Sequence, residues 1–226
     1  MAYVIVFVLA LIVLLVIISI IRAARFRPLP EAAADRRELE LDREKIAGDL
    51  AEMLRCRTVS DMDESKIDTG EFERFGKLLQ ERFPHVHRHC GLERIGKTGL
   101  LYCWKGESSS KPTVLMAHYD VVPADEKGWV KPAFEGIIEN GEIWGRGALD
   151  TKSTLCGIME AVEYLIKQGF VPKNDIWLSF SGDEEIYGET CPAIVSELER
   201  RGIKPAMVLD EGGAIVEKVF PGVDRP

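Results

Sequence analysis

The stretch SFSGDEE (residues 179–185) closes an apolar run, DIWLSFS, with three consecutive carboxylates. Like charges set side by side repel, and they resist desolvation beside a buried strand end. The same change from apolar to ionisable recurs elsewhere. TVLMA (113–117) runs into His118, with Asp120 two residues on, and AMVL (206–209) runs into Asp210 and Glu211. Asp150 stands just before an amphipathic stretch. Imidazole and carboxylate are donors that borderline-soft divalent ions such as zinc accept. Bound cations would neutralise a cluster that is otherwise unfavourable. Alone, His118 reads as a satisfied structural histidine and Asp120 as a solvated turn residue. Their joint placement at strand ends shifts the reading to a metal site.

A nucleotide site is the competing reading. GLERIGKT (91–98) matches the phosphate-loop pattern G-x-x-x-x-G-K-[ST]. That motif works only if a helix follows the lysine and offers its first amides to phosphate. Here GLLYCW follows, a strand-like run, so GLERIGKT is expected to be a hairpin loop.

The elements that must position these residues follow from periodicity. Leu41, Ile46, Leu50, Met53 and Leu54 recur at helical spacing, as do Phe72, Phe75, Leu78, Leu79 and Phe83, where Pro84 stops the helix. HVHRH (85–89) alternates as a strand does, Leu100 to Trp104 is a further strand, and Ser108–Ser110 with Pro112 reads as a turn. After Asp150 a helix presents Leu155, Ile158, Met159, Val162, Leu165 and Ile166 on one face and ends at Gly169. A strand at 176–181, a helix from near Pro192 to Gly202 and a strand at 206–209 complete the series. Apolar strands alternating with amphipathic helices define an α/β domain with a mostly parallel sheet flanked by helices. In such sheets functional groups gather beyond the carboxyl ends of the strands. His118, Asp150, Glu184, Glu185 and Asp210–Glu211 can therefore converge on one rim.

HYDVVP (118–123), GRGALDTK (145–152), SGDEE (181–185) and LDEGG (209–213) together resemble the successive motifs of the M20 family of binuclear zinc peptidases, which includes carboxypeptidase S, aminoacylases and other N-acyl-amino-acid hydrolases. The likeness covers roughly residues 40–226. The HYDVVP form, with Gly128–Trp129 and Pro132–Ala133–Phe134 after it, points to the carboxypeptidase S-like branch. The resemblance implies two zinc ions, with cobalt or manganese as substitutes. His118 would bind one ion, Asp150 would bridge both, and Glu185 and Glu211 would be further ligands, with Asp210 an alternative to Glu211. It implies Glu184 as general base, Asp120 as the carboxylate that orients His118, a tight turn through Gly145 and Gly147, and a cis peptide after Asp150. The implied substrate is an N-acyl amino acid or small peptide. Asp183 has no assigned role.

This sequence also departs from the family pattern. Its histidines stand at 85, 87, 89 and 118, whereas the family's last zinc ligand is a histidine far downstream. The family's lid domain, which mediates dimerisation, would also lie beyond Pro226. The reading is of a truncated chain, with weakened binding of one zinc, little turnover by itself, and a homodimer only in the full-length parent. A membrane-tethered domain that keeps the fold without the chemistry is the rival reading.

Composition bounds the rest. A net charge of -8 argues against a nucleic-acid partner. Five cysteines without a CxxC pair read as reduced thiols. Residues 2–21 form an uncharged apolar run long enough to cross a bilayer, and Arg22, Arg25 and Arg27 follow it. The expected organisation is an uncleaved single-pass anchor (1–21), a juxtamembrane linker (22–38) and a catalytic domain (39–226). By the positive-inside rule the soluble body faces the cytoplasm.

Overall fold

A computed structural model describes residues 2–27 and 39–212. The chain divides into two units, 1–41 and 42–226. The first contains helix α1 (Ala2–Arg25), whose apolar side chains are exposed along its length and which is long and apolar enough to cross a membrane. It extends past the expected end of the anchor at 21, and most of the expected linker lies outside the described residues.

The second unit opens with α2 (Arg43–Arg55). Asp42 caps it, accepting a hydrogen bond from the Lys45 amide at 3.0 Å. Asp68 caps α3 (Thr69–Arg82) in the same way through the Gly70 amide, and α3 buries Phe72, Phe75 and Leu79. Pro84 ends α3 and opens α4 (Pro84–His89), since a fixed φ and a missing N–H suit a first helical turn. Residues 85–89 are thus helix, contrary to the strand that their alternation suggested. The reason is tertiary. Buried Glu163 accepts the amides of both His85 and Val86 at 2.9 Å, satisfying the open N-terminal donors of α4.

Five strands form one sheet in the order β1 (Cys90–Ile95), β2 (Gly99–Trp104), β6 (Asn174–Ser181), β3 (Ser108–His118) and β7 (Met207–Leu209). The sheet is mixed. β3 runs parallel to β6 and β7, whereas β1–β2 and β2–β6 are antiparallel. The parallel part is the part that carries the candidate site. The serines at 108–110 do not form the expected turn but start β3, with a register shift before Thr113 that accommodates Pro112.

Both faces of the central strands β2 and β6 are covered, whereas β7 at the edge is exposed. Leu100, Tyr102, Trp104, Leu178 and Phe180 pack with α3, α4 and α5 (Lys152–Lys167). On the other face Leu101, Cys103, Val114 and Trp177 pack against Ile194 and Leu198 of α6 (Thr190–Arg200). Burial on two faces explains why β2 is wholly apolar rather than alternating. A separate hairpin, β4 (Ile137–Glu139) and β5 (Glu142–Trp144), turns through Asn140 and Gly141, both at positive φ. All five cysteines are free and four are buried.

Candidate metal centre

Strand register brings the ionisable residues together. His118 pairs with Ser181 across the parallel β3–β6 ladder, so Glu184 and Glu185 emerge three and four residues beyond that level. They sit on a single 3-10 turn, Glu184–Ile186, closed by Tyr187 in the left-handed region. β7 pairs with β3 up to Leu209–Leu115, placing Glu211 beside His118. Asp150 arrives from the other side, immediately before α5. The loop that delivers it needs Gly147: φ is +84°, and a Cβ there would lie 2.7 Å from Val121. The Asp150–Thr151 peptide is cis, as the resemblance implies.

The His118 imidazole is buried, and carboxylates from three different segments surround its Nε2 atom: Asp150 Oδ1 at 3.0 Å, Glu211 Oε1 at 3.5 Å and Glu184 Oε2 at 3.8 Å. Two overlapping ligand groups result: His118 with Glu184 and Glu211, and His118 with Asp150 and Glu185. Asp210 belongs to neither; its Oδ1 accepts the Glu211 amide at 2.9 Å. The site opens into a cavity of about 210 Å³ lined by His118, Glu184, Glu211, Tyr187 and Cys191.

Electrostatics reflect the crowding. Burial and the neighbouring Asp150 raise the Glu185 carboxyl above its ordinary range. Burial also raises Glu211, and the charges of Asp150 and Glu184 add to it, against the opposing pull of His118. Burial works to lower His118, but Asp120, Glu211 and Asp150 outweigh it and push the imidazole up to about 9. Several carboxylates around one imidazole therefore compete for protons. Donor types and spacing fit divalent metal.

Asp120 does more than the sequence suggested. The chain is extended here, so His118 and Asp120 face one way while Tyr119 faces the core and stacks on Phe75 at 4.7 Å. His118 Nδ1 donates to the Asp120 main-chain carbonyl at 3.1 Å, with the carboxylate 3.3 Å away, which leaves Nε2 for a metal. The fully buried Asp120 carboxylate also accepts the Glu184 amide, the Glu185 amide and the Ser60 hydroxyl, at 3.1, 3.1 and 2.8 Å. Ser60 carried no signal in the sequence. Asp183, without a role until now, accepts the Thr190 amide and hydroxyl at 3.2 and 2.7 Å and so holds the start of α6. Lys152 is wholly buried; it donates to the Met53 and Cys56 carbonyls at 3.0 and 2.7 Å, and burial pushes it down to about 7. Lys97 and Thr98 of GLERIGKT lie in the turn between the antiparallel strands β1 and β2, with no helix to receive phosphate.

A layered α/β domain with a histidine–carboxylate cluster at the ends of its parallel strands defines a metallopeptidase-type catalytic fold. The model of peptidase family M20/M25/M40 matches residues 114–223. The chain is 35% identical over 191 residues to the N-fatty-acyl-amino acid synthase/hydrolase PM20D1 of Xenopus tropicalis, covering 83% of this chain and 37% of that protein. It is 36% identical over 172 residues to carboxypeptidase S of Saccharomyces cerevisiae, covering 70% and 30%. Among solved structures, an M20 family metallo-carboxypeptidase from Sulfolobus solfataricus superposes with a TM-score of 0.61 at 22% identity, over 75% of this chain and 38% of that one. Human carnosine dipeptidase 1 superposes with a TM-score of 0.59 at 18% identity, over 77% and 40%. This chain belongs to the M20 family. It spans less than two fifths of the length of these curated relatives.

Proposed function

We propose that the protein is the metal-binding part of a zinc-dependent hydrolase that cleaves the amide bond of an N-acyl amino acid or small peptide. The observation that carries this reading is the convergence of Asp150, Glu184 and Glu211 on the Nε2 atom of one buried histidine. His118, Asp150, Glu185 and Glu211 would hold the zinc. Zinc bound there would lower the pKa of a bound water and polarise the substrate carbonyl.

The remaining steps belong to the chain. Glu184, half exposed at the cavity, takes the proton of the attacking water and returns it to the leaving amine. Glu184 and Glu185 are adjacent, yet one can face the water and the other the metal because Asp120 fixes both of their amides. The names of the relatives, an N-fatty-acyl-amino acid synthase/hydrolase and a carboxypeptidase, support an N-acylated or peptide substrate with a free carboxylate. We also read α1 as a single-pass anchor, with the body on the side of Arg22 and Arg25. Protease protection in sealed vesicles decides that side.

The test measures zinc content and N-acyl amino acid hydrolysis together. Glu184→Ala is expected to keep its zinc and lose about 100-fold or more in rate. A Glu184→Ala protein that retains zinc and nearly full activity removes Glu184 from the base role.

A further inference from the structure

HVHRH (85–89) takes no part in the proposed hydrolysis, yet it holds three of the chain's four histidines. Folding as helix α4 sorts them by face. His87 is fully engaged: Nδ1 donates to the Phe83 carbonyl at 3.0 Å, and Nε2 accepts from the Tyr102 hydroxyl at 3.2 Å. His85 and His89 are four residues apart, which puts them one above the other on the same face of α4. Their ring centroids are 6.2 Å apart and the ring planes lie within 14° of parallel. His89 Nδ1 donates to the His85 main-chain carbonyl at 2.9 Å, which fixes its tautomer and leaves Nε2 bare. A carbonyl bond behind the free nitrogen is the support that metal-binding imidazoles use. Among the described residues, His85 hydrogen-bonds only through its main chain, so its ring nitrogens are uncommitted. The cation nearest in sequence, Arg88, is turned back to the Pro84 carbonyl at 3.1 Å.

We propose that His85 and His89 form a second metal site, a two-imidazole chelate for a borderline divalent ion, separate from the His118 centre. Two histidines at i and i+4 of a helix are a chelating pair, and imidazole donors bind copper(II) ahead of nickel(II) and zinc(II). Metal–nitrogen bonds of about 2.0–2.1 Å need the two donor atoms within about 4 Å of each other. Rotation of the exposed His89 ring towards His85 supplies that approach, and water completes the coordination. The consequence is structural. α4 has six residues, too few to be stable by itself, and an ion spanning its first and last turns braces it where Val86 enters the core. The site stands on α4 alone and does not depend on the hydrolase reading.

The experiment titrates copper(II) chloride into the full chain in detergent micelles and follows it by electron paramagnetic resonance. The His118 centre offers a single imidazole, whereas the α4 site offers two, so the nitrogen splitting tells them apart. The expected wild-type spectrum includes a species split by two nitrogens. That species persists in His118→Ala and disappears in both His85→Gln and His89→Gln, with copper affinity at this site about 100-fold weaker once the chelate is broken. Hydrogen exchange across residues 84–89 of the wild type should also slow on copper loading, a readout that needs no variant to fold. A wild-type spectrum with no two-nitrogen species overturns the site, as does unchanged exchange across α4. So does a two-nitrogen species that survives either histidine substitution on α4, or one that is lost in His118→Ala protein of unchanged helical circular dichroism.

Discussion

The main-chain amide of Glu184 donates to Asp120 Oδ1 at 3.1 Å, tying the glutamate turn after β6 to the carboxylate two residues beyond the His118 imidazole. With the Glu185 amide on the other oxygen, one buried side chain sets the relative position of a histidine on β3 and two glutamates after β6. Positioning of this kind restricts rotamers before any ligand arrives, which a solvated acidic loop would not do.

Asp120→Ala should therefore damage more than the histidine. It leaves the amides of Glu184 and Glu185 and the hydroxyl of Ser60 without their acceptor, at about 1–3 kcal/mol for each group that stays buried. Urea denaturation should show a loss of roughly 3 kcal/mol or more, and zinc affinity should fall about 10- to 100-fold. A stable Asp120→Ala protein with unchanged zinc binding would remove Asp120 from this role.

Lys152 closes the C-terminal end of α2 by donating to Met53 and Cys56 carbonyls while its ammonium sits 5.3 Å from the Phe75 ring centroid. Lys152→Ala takes one of two donors from each carbonyl, which keep the Cys56 and Thr58 amides, and opens a cavity, costing about 2–5 kcal/mol. Lys152→Met fills the space and should recover part of that loss. Equal destabilisation by the two substitutions would mean that volume plays no part.

Glu163 accounts for α4. In Glu163→Ala the His85 and Val86 amides lose their acceptor, so hydrogen exchange should accelerate first across residues 84–89, at an overall cost of about 1–3 kcal/mol. Unchanged exchange there would show that α4 holds without its cap.

Burial pushes the thiols of Cys90 and Cys156 up to about 12 from an ordinary 9.0. The folded state keeps both protonated while the unfolded chain loses its thiol protons above pH 9, so stability falls as pH rises. What these thiols contribute is fully present below pH 9 and is lost as pH climbs towards 12. Measured against a Cys90→Ala, Cys156→Ala double variant, the wild-type advantage should shrink between pH 8 and pH 10 by about 1 kcal/mol per thiol. An advantage that stays constant over that interval contradicts the burial of the thiols.

Much of this site was legible because strand ends announce themselves. An apolar run that stops at His118, at Ser181 or at Leu209 marks both the strand and the rim where its ionisable neighbours emerge. What was hidden depended on partners distant in sequence. HVHRH alternates like a strand, and Pro84 together with Glu163, 78 residues away from His85, makes it a helix. Ser60 and Lys152 act through hydrogen bonds to Asp120 and to α2, which no local spacing reveals. Asp183 has no role that SFSGDEE reveals, because its partner Thr190 lies seven residues on in α6. The Asn140–Gly141 turn, by contrast, is a strong local hairpin signal.

The central claim is that His118, Asp150, Glu185 and Glu211 form one metal centre. Zinc titration of the protein by calorimetry, with metal content counted after dialysis, tests it most directly. The account predicts tight uptake of at least one zinc per chain, a second ion held more weakly, a rise in thermal stability on loading, and loss of tight binding in both His118→Ala and Glu185→Ala. Zinc uptake unaffected by either substitution would contradict it, as would no uptake at all.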